Sequence, residues 1–184
     1  MNILASASPR RQQLMKEITS DFTIITADID EEKSYSLPPL EAVLDIAKRK
    51  GIKIQETHPN DLILSADTIV VLNNKIIHKP KDAEDAKKIL RELSNQTHEV
   101  ITAYCFFKGN KFIERYVVSQ VVFNDLDDDL IDRYVATGSP IDKAGAYGVQ
   151  ENKDYPIVKK VIGSLSNVIG FPVEEIREDF LKMQ

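Results

Sequence analysis

Asp67 stands in Leu64-Ser65-Ala66-Asp67-Thr68-Ile69, with strand-like apolar sequence on both sides. A carboxylate so placed is costly to bury unless it is paired, bound to a cation or used as a base. Near the N-terminus, Ser6-Ala7-Ser8-Pro9-Arg10-Arg11 sets two consecutive guanidinium groups beside serines and a proline. Ser8 suits a helix N-cap and Pro9 the first helical position. Free backbone amides would then converge with Arg10 and Arg11 into a cradle for phosphate, to which Ser6 and Ser8 belong. The plainer alternative is a capped helix with two solvated arginines.

Asp142-Lys143-Ala144-Gly145-Ala146-Tyr147-Gly148-Val149-Gln150 is the third constellation. Its glycines and small residues allow close approach of a flat ligand, and the Gln150 amide can both donate to and accept from a base edge. A tight structural bend would use the same residues. Glu31 and Glu32 add carboxylates in an expected loop, while Lys50 and Lys79 are candidates to meet phosphate oxygens. Lys79 precedes Pro80, which restricts the backbone and so helps fix where the lysine points.

Taken together and in order, Leu4 to Arg11, Ser65-Ala66-Asp67-Thr68, His78-Lys79-Pro80 and Asp142 to Gln150 resemble the Maf family over nearly the whole chain. The resemblance implies a nucleoside triphosphate pyrophosphatase that needs a divalent metal, Mg²⁺ or Mn²⁺. It also implies an elongated Maf/ITPase-like α/β fold of two lobes with a central cleft, usually a homodimer. The ending Ala-Gly-Ala-Tyr-Gly-Val-Gln is similar to the branch acting on dTTP and UTP. Carried over motif by motif, Asp67 becomes the general base, a metal ligand or both, with Glu31 as a second metal ligand. Arg10, Thr68 and Gln150 fall where substrate choice is tuned, and Arg11, Lys50 and Lys79 where the rest of the substrate is held. Two departures stand out: Glu151 to Pro156 replaces a segment usually rich in glycine, and Leu165 stands where tyrosine is common.

The elements that must position these residues follow from periodicity. Strands are expected at Ile3 to Ala5, Phe22 to Thr26, Leu62 to Leu72 and Lys75 to Ile77, the last pair joined by an Asn73-Asn74 turn. A hairpin is expected from Val100 to Lys108 and Phe112 to Phe123 across Gly109-Asn110. Helical spacing marks Pro9 to Ile18, Leu40 to about Lys53, Asp82 to Leu93, Asp127 to Val135 and Val173 to Met183. This order predicts an α/β domain with a mixed sheet, and the absence of any linker predicts one domain over 1–184.

Composition narrows the functions further. A net charge of −5 over 184 residues excludes a global attraction to nucleic acid, so any phosphate site must be local. No stretch approaches the roughly 20 apolar residues needed to cross a bilayer, and no basic leader precedes the first strand, so no membrane association and a cytoplasmic location are expected. The one cysteine, Cys105, reads as a buried thiol. His58, His78 and His98 have no metal-binding spacing. Beside the enzyme stand two other classes, a nucleotide-responsive regulator of septum formation with incidental turnover and a purely structural domain. Asp67, Lys79 and Arg11 favour chemistry, because a binding-only site gains little from an acid that faces a polyanion without a metal.

Overall fold

The computed structural model describes all 184 residues. They form a seven-stranded mixed sheet with hydrogen-bonded order β2-β1-β3-β5-β6-β7 and a short β4 on β3, flanked by helices. The strands are β1 (Asn2–Leu4), β2 (Thr23–Ile24), β3 (Leu62–Leu72), β4 (Lys75–Ile77), β5 (Thr97–Lys108), β6 (Lys111–Phe123) and β7 (Val158–Ile162). The helices are α1 (Pro9–Met15), α2 (Pro39–Gln55), α3 (Ala83–Leu93), α4 (Asp128–Ala136), α5 (Leu165–Ile169) and α6 (Val173–Met183). The chain divides into two compact units, the first made of 1–68, 101–117 and 166–184 and the second of 69–100 and 118–165.

In the first unit β1 is flanked by β2 and β3, both parallel to it. The chain leaves β1 through α1 to one side and returns through α2 to the other. The carboxyl end of β1 is therefore a topological switch point, the place where open α/β sheets bind ligands. Along β3 the side chains alternate faces. Leu62, Leu64 and Ala66 join a core with Met15, Tyr104, Phe106, Val173, Ile176 and Phe180. Ser65 turns the other way and donates to the Ala47 carbonyl of α2 at 2.7 Å. The same alternation sends Asp67 to the α2 side and Thr68 away from it. At Gly51, α2 lies so close to the sheet that a Cβ would overlap the Phe107 ring and the Ser65 hydroxyl.

In the second unit Asn73 and Asn74, at φ 51° and 62°, make the two-residue turn that pairs β4 antiparallel with β3. Helices α3 and α4 begin at aspartate caps, Asp82 accepting from Asp85 N and Asp127 from Leu130 N. Both caps fall where the sequence places the helix starts. The helix expected from Pro9 to Ile18 stops at Met15, because Lys16 and Ile18 tighten into three-residue turns through bonds to Gln13 and Met15. Only Thr23 and Ile24 of the expected Phe22 to Thr26 strand pair with a neighbour. Cys105 is buried, as its apolar surroundings suggest.

His98 of β5 is 1 % exposed, with Nε2 2.8 Å from the Tyr147 hydroxyl and its ring edge-on to Phe123. Burial pushes its pKa down to about 4, from an ordinary value near 6.5. The folded state therefore resists a proton that the unfolded chain accepts. Stability is complete above about pH 6.5 and falls by about 3 kcal/mol as the pH drops to 4. We expect His98→Gln to show a smaller loss of urea stability between pH 7 and 4 than the parent protein. Equal losses in the two proteins would assign the acid sensitivity to other groups.

Candidate active site

The loop that leaves β1 is organised by Ser6, which is buried. Its Oγ accepts from Ser8 N at 3.2 Å and from Arg11 Nη1 at 3.5 Å. Ser8 caps α1, its Oγ accepting from Arg11 N at 3.4 Å, and Pro9 follows as expected. Two amides of the turn are thus already bonded, and Pro9 has none to offer. The cradle of free amides expected from the sequence is correspondingly reduced. Arg10 makes no hydrogen bond within the protein and is the guanidinium available to a ligand.

Arg11 differs from that expectation. Its Nε donates to the Gly170 carbonyl at 2.9 Å, Nη1 to the Ala66 carbonyl at 3.1 Å and Nη2 to Thr68 Oγ1 at 2.9 Å. The cause is local: β1 makes its last bond to β3 from Ala5 N to the Leu64 carbonyl, so the Ala66 carbonyl has lost its strand partner. A buried carbonyl must find another donor, and Arg11 supplies it. Gly170, at φ 116°, turns its own carbonyl toward the same guanidinium. Thr68 Oγ1 also lies 2.8 Å from Thr102 Oγ1 and 3.3 Å from the Gly170 carbonyl, so its hydroxyl is engaged by the protein. Arg11 and Thr68 shape the site from behind rather than offering free donors.

On the α2 side, Asp67 is buried and Lys50 Nζ donates to its Oδ1 at 3.0 Å. The same ammonium lies 2.8 Å from Glu31 Oε1. Burial pushes the Asp67 carboxyl above its usual range; Lys50 and Arg11 pull it back without overcoming burial, and Glu31 adds to the rise. Glu31 opens a three-residue-turn helix, Glu32–Ser36, where the sequence suggests only a loop. Its position is fixed by a network the sequence does not advertise. The buried Ser34 hydroxyl donates to Asp45 Oδ2 at 2.6 Å, and Arg49 Nε reaches the same oxygen at 2.9 Å. Tyr35, also unforeseen, has its hydroxyl 3.4 Å from Glu31 Oε2. Burial and the Glu31 and Asp67 charges push its pKa up to about 12, so it stays a donor.

No cluster of three His, Cys, Asp or Glu side chains is arranged for a metal ion. Mg²⁺ ordinarily takes one or two carboxylates and completes its shell with water and substrate phosphates. Glu31 and Asp67, joined through one cation at Lys50, are a hard-oxygen pair of that kind.

The second unit holds the remaining candidates. Lys79, just past β4, is exposed and forms no ion pair. Gln150 is exposed on a short turn, Val149–Glu151. Gly145, at φ 73°, allows the Ala144–Ala146 turn that precedes it. Lys143 is unavailable to a ligand, since its Nζ donates to Ser139 O at 2.7 Å and Oγ at 2.8 Å and to Asp142 at 3.1 Å.

A model of Maf-like proteins matches residues 2–183. The chain belongs to the Maf family. It is 42% identical over 171 residues to a Pyrococcus furiosus protein, covering 93% of this chain and 89% of the relative. It is 43% identical over 183 residues to one from Fusobacterium nucleatum, covering 98% and 94% respectively. Both relatives are named dTTP/UTP pyrophosphatase. Among solved structures, the Staphylococcus aureus Ham1 protein matches with a TM-score of 0.56 at 11% identity, over 100% of this chain and 99% of that one. That likeness establishes the α/β fold. No helix is long and apolar enough to cross a membrane.

Two outcomes are expected from this geometry. Arg11→Ala strips the buried Ala66 carbonyl of its donor, at roughly 1–3 kcal/mol, and leaves the Gly170 carbonyl only Thr68, so it should lower the melting temperature as well as any nucleotide binding. A melting curve identical to the parent's would return Arg11 to the surface. Lys50→Met removes the cation nearest Asp67, so the carboxyl should titrate at still higher pH. Carbon-13 NMR of metal-free protein would show this, and a midpoint at or below the parent's would contradict the pairing.

Proposed function

We propose that the protein is a nucleoside triphosphate pyrophosphatase that hydrolyses dTTP and UTP to the monophosphate and pyrophosphate. The observation that carries this is a buried carboxylate, Asp67, held 3.0 Å from Lys50 beside the switch point of a parallel sheet. The names of relatives about 40% identical over nearly the whole chain supply the substrate class.

Asp67 accepts the proton of a water that attacks the α-phosphorus in line with the departing pyrophosphate. Its raised pKa brings it closer to working pH, which improves a general base. Only the ionised carboxylate can act, so turnover is full above that pKa and is lost as pH falls through it. Lys50 keeps Asp67 oriented and ionised, and Arg10, free of internal bonds, meets phosphate oxygens. Glu31 and Asp67 are the residues that would hold Mg²⁺ or Mn²⁺, whose charge offsets that of the phosphates. Gln150 offers the base a donor and an acceptor side by side, matching the adjacent carbonyl and imide N–H of uracil and thymine.

The test is pyrophosphate release from a nucleotide panel, with and without Mg²⁺ or Mn²⁺. UTP and dTTP should exceed CTP by at least about 10-fold in kcat/KM. Asp67→Asn should remain folded and lose at least about 100-fold in turnover, the lower bound for loss of a general base. Near-parental turnover in a folded Asp67→Asn protein would remove Asp67 from the chemistry.

A further inference from the structure

Gln150 is exposed, and no hydrogen bond of its own fixes its side chain. An amide that rotates freely suits cytosine as well as uracil, so selectivity needs something to hold the turn that carries it. The second unit contains such a device. Tyr134 of α4 is fully buried, and its hydroxyl accepts from Gly148 N at 2.9 Å and donates to Glu151 Oε1 at 3.0 Å. An ionised carboxylate can only accept. Glu151 therefore fixes the direction of the Tyr134 hydroxyl, whose oxygen is left facing the Gly148 N–H. Lys143 Nζ, anchored on Ser139, lies 3.5 Å from the same Glu151 oxygen and helps to hold it in place.

The pair brackets Gln150 on both sides, through Gly148 before it and Glu151 after it. A Cβ on Gly148 would lie 2.9 Å from Glu151 Oε1 and 3.2 Å from Gln150 Oε1. Both side-chain oxygens thus crowd one side of the Gly148 Cα, and the carboxylate limits where the amide can sit. Downstream the chain is clamped again, Asn152 Nδ2 donating to Val158 O at 2.9 Å and its Oδ1 accepting from Val158 N at 2.7 Å. These bonds tie the end of the turn to β7.

We propose that Tyr134 and Glu151 are positioning residues for base selection, holding the Gly148 to Gln150 turn so that the Gln150 amide presents one orientation to a pyrimidine. This rests on the pyrophosphatase reading and on Gln150 as the group that meets the base. Neither side chain takes part in the phosphoryl chemistry.

The experiment compares UTP and CTP for the parent, Gln150→Ala, Tyr134→Phe, Glu151→Ala and Glu151→Gln, each with a melting curve. Tyr134→Phe and Glu151→Ala should reduce the UTP preference by about 5-fold or more, through a higher KM for UTP with kcat within about 2-fold. Glu151→Gln keeps an oxygen that accepts from Tyr134 and should retain most of the preference. A merely structural role would instead lower both nucleotides together and track the melting temperature. Should Tyr134→Phe fail to fold, Glu151→Ala decides alone. If Gln150→Ala abolishes the preference but Glu151→Ala leaves it intact, the positioning role is overturned and the base reading stands. If the parent shows no preference, or Gln150→Ala keeps it, the base reading itself fails and takes the positioning role with it.

Discussion

The carboxylate of Asp67, enclosed by apolar strand, is favoured in its charged form against burial by the Lys50 ammonium at 3.0 Å and by the charge of Arg11. Without the ammonium the buried acid would hold its proton to higher pH, so the two side chains constrain everything that places them. Strand β3 must keep its alternation, because a slip of one residue would turn Asp67 toward the core of Leu64 and Ala66. Helix α2 must lie close enough for the ammonium to arrive. At Gly51, next to Lys50, that closeness leaves no room for a side chain against the Phe107 ring. The glycine weakens the helix by about 1 kcal/mol relative to alanine and is retained for that contact.

A second constraint arises from the ends of strands. Where β1 stops, β3 continues, and its exposed edge would leave the Ala66 carbonyl without a donor. Arg11 resolves this with a planar fork that reaches two carbonyls and a hydroxyl at once, which a lysine ammonium could not reproduce. The same positive charge pulls the Asp67 carboxyl downward without touching it. One side chain thereby completes the sheet and tunes the acid, so the adjacent arginines of the sequence are not equivalent: Arg11 is bound into the scaffold and Arg10 is not.

Much of this was legible in the sequence where a feature is local. Ser8 and Pro9 announce the start of α1, Asp82 and Asp127 cap α3 and α4, and Asn73-Asn74 announces the β3–β4 turn, because each acts within four residues of itself. Asp67 was recognisable because a lone carboxylate breaks an apolar run. The short elements were not: α5 and the Glu32–Ser36 turn span five residues each, too few to display a period. The partners of Arg11 were also hidden, since Gly170 lies 159 residues away and contributes only a carbonyl. Ser34, Asp45 and Arg49 look like ordinary surface polar residues until folding brings Ser34 and Asp45 within 2.6 Å.

The two units hold their candidate site residues by different means, and the difference has a physical origin. Asp67 rides on a strand, whose ladder of backbone bonds positions it at no cost to side chains. Gln150 rides on a succession of short turns, Ser139–Asp142, Ala144–Ala146 and Val149–Glu151, none long enough to sustain its own hydrogen-bond pattern. Backbone alone cannot fix such a segment, so side chains must, and Tyr134, Glu151, Lys143 and Asn152 do so. A scaffold of that kind can change the turn by exchanging one clamp for another while β3 and its acid stay as they are. The position of the Gln150 turn therefore depends on side chains that can be exchanged one at a time, whereas that of Asp67 depends on the sheet itself.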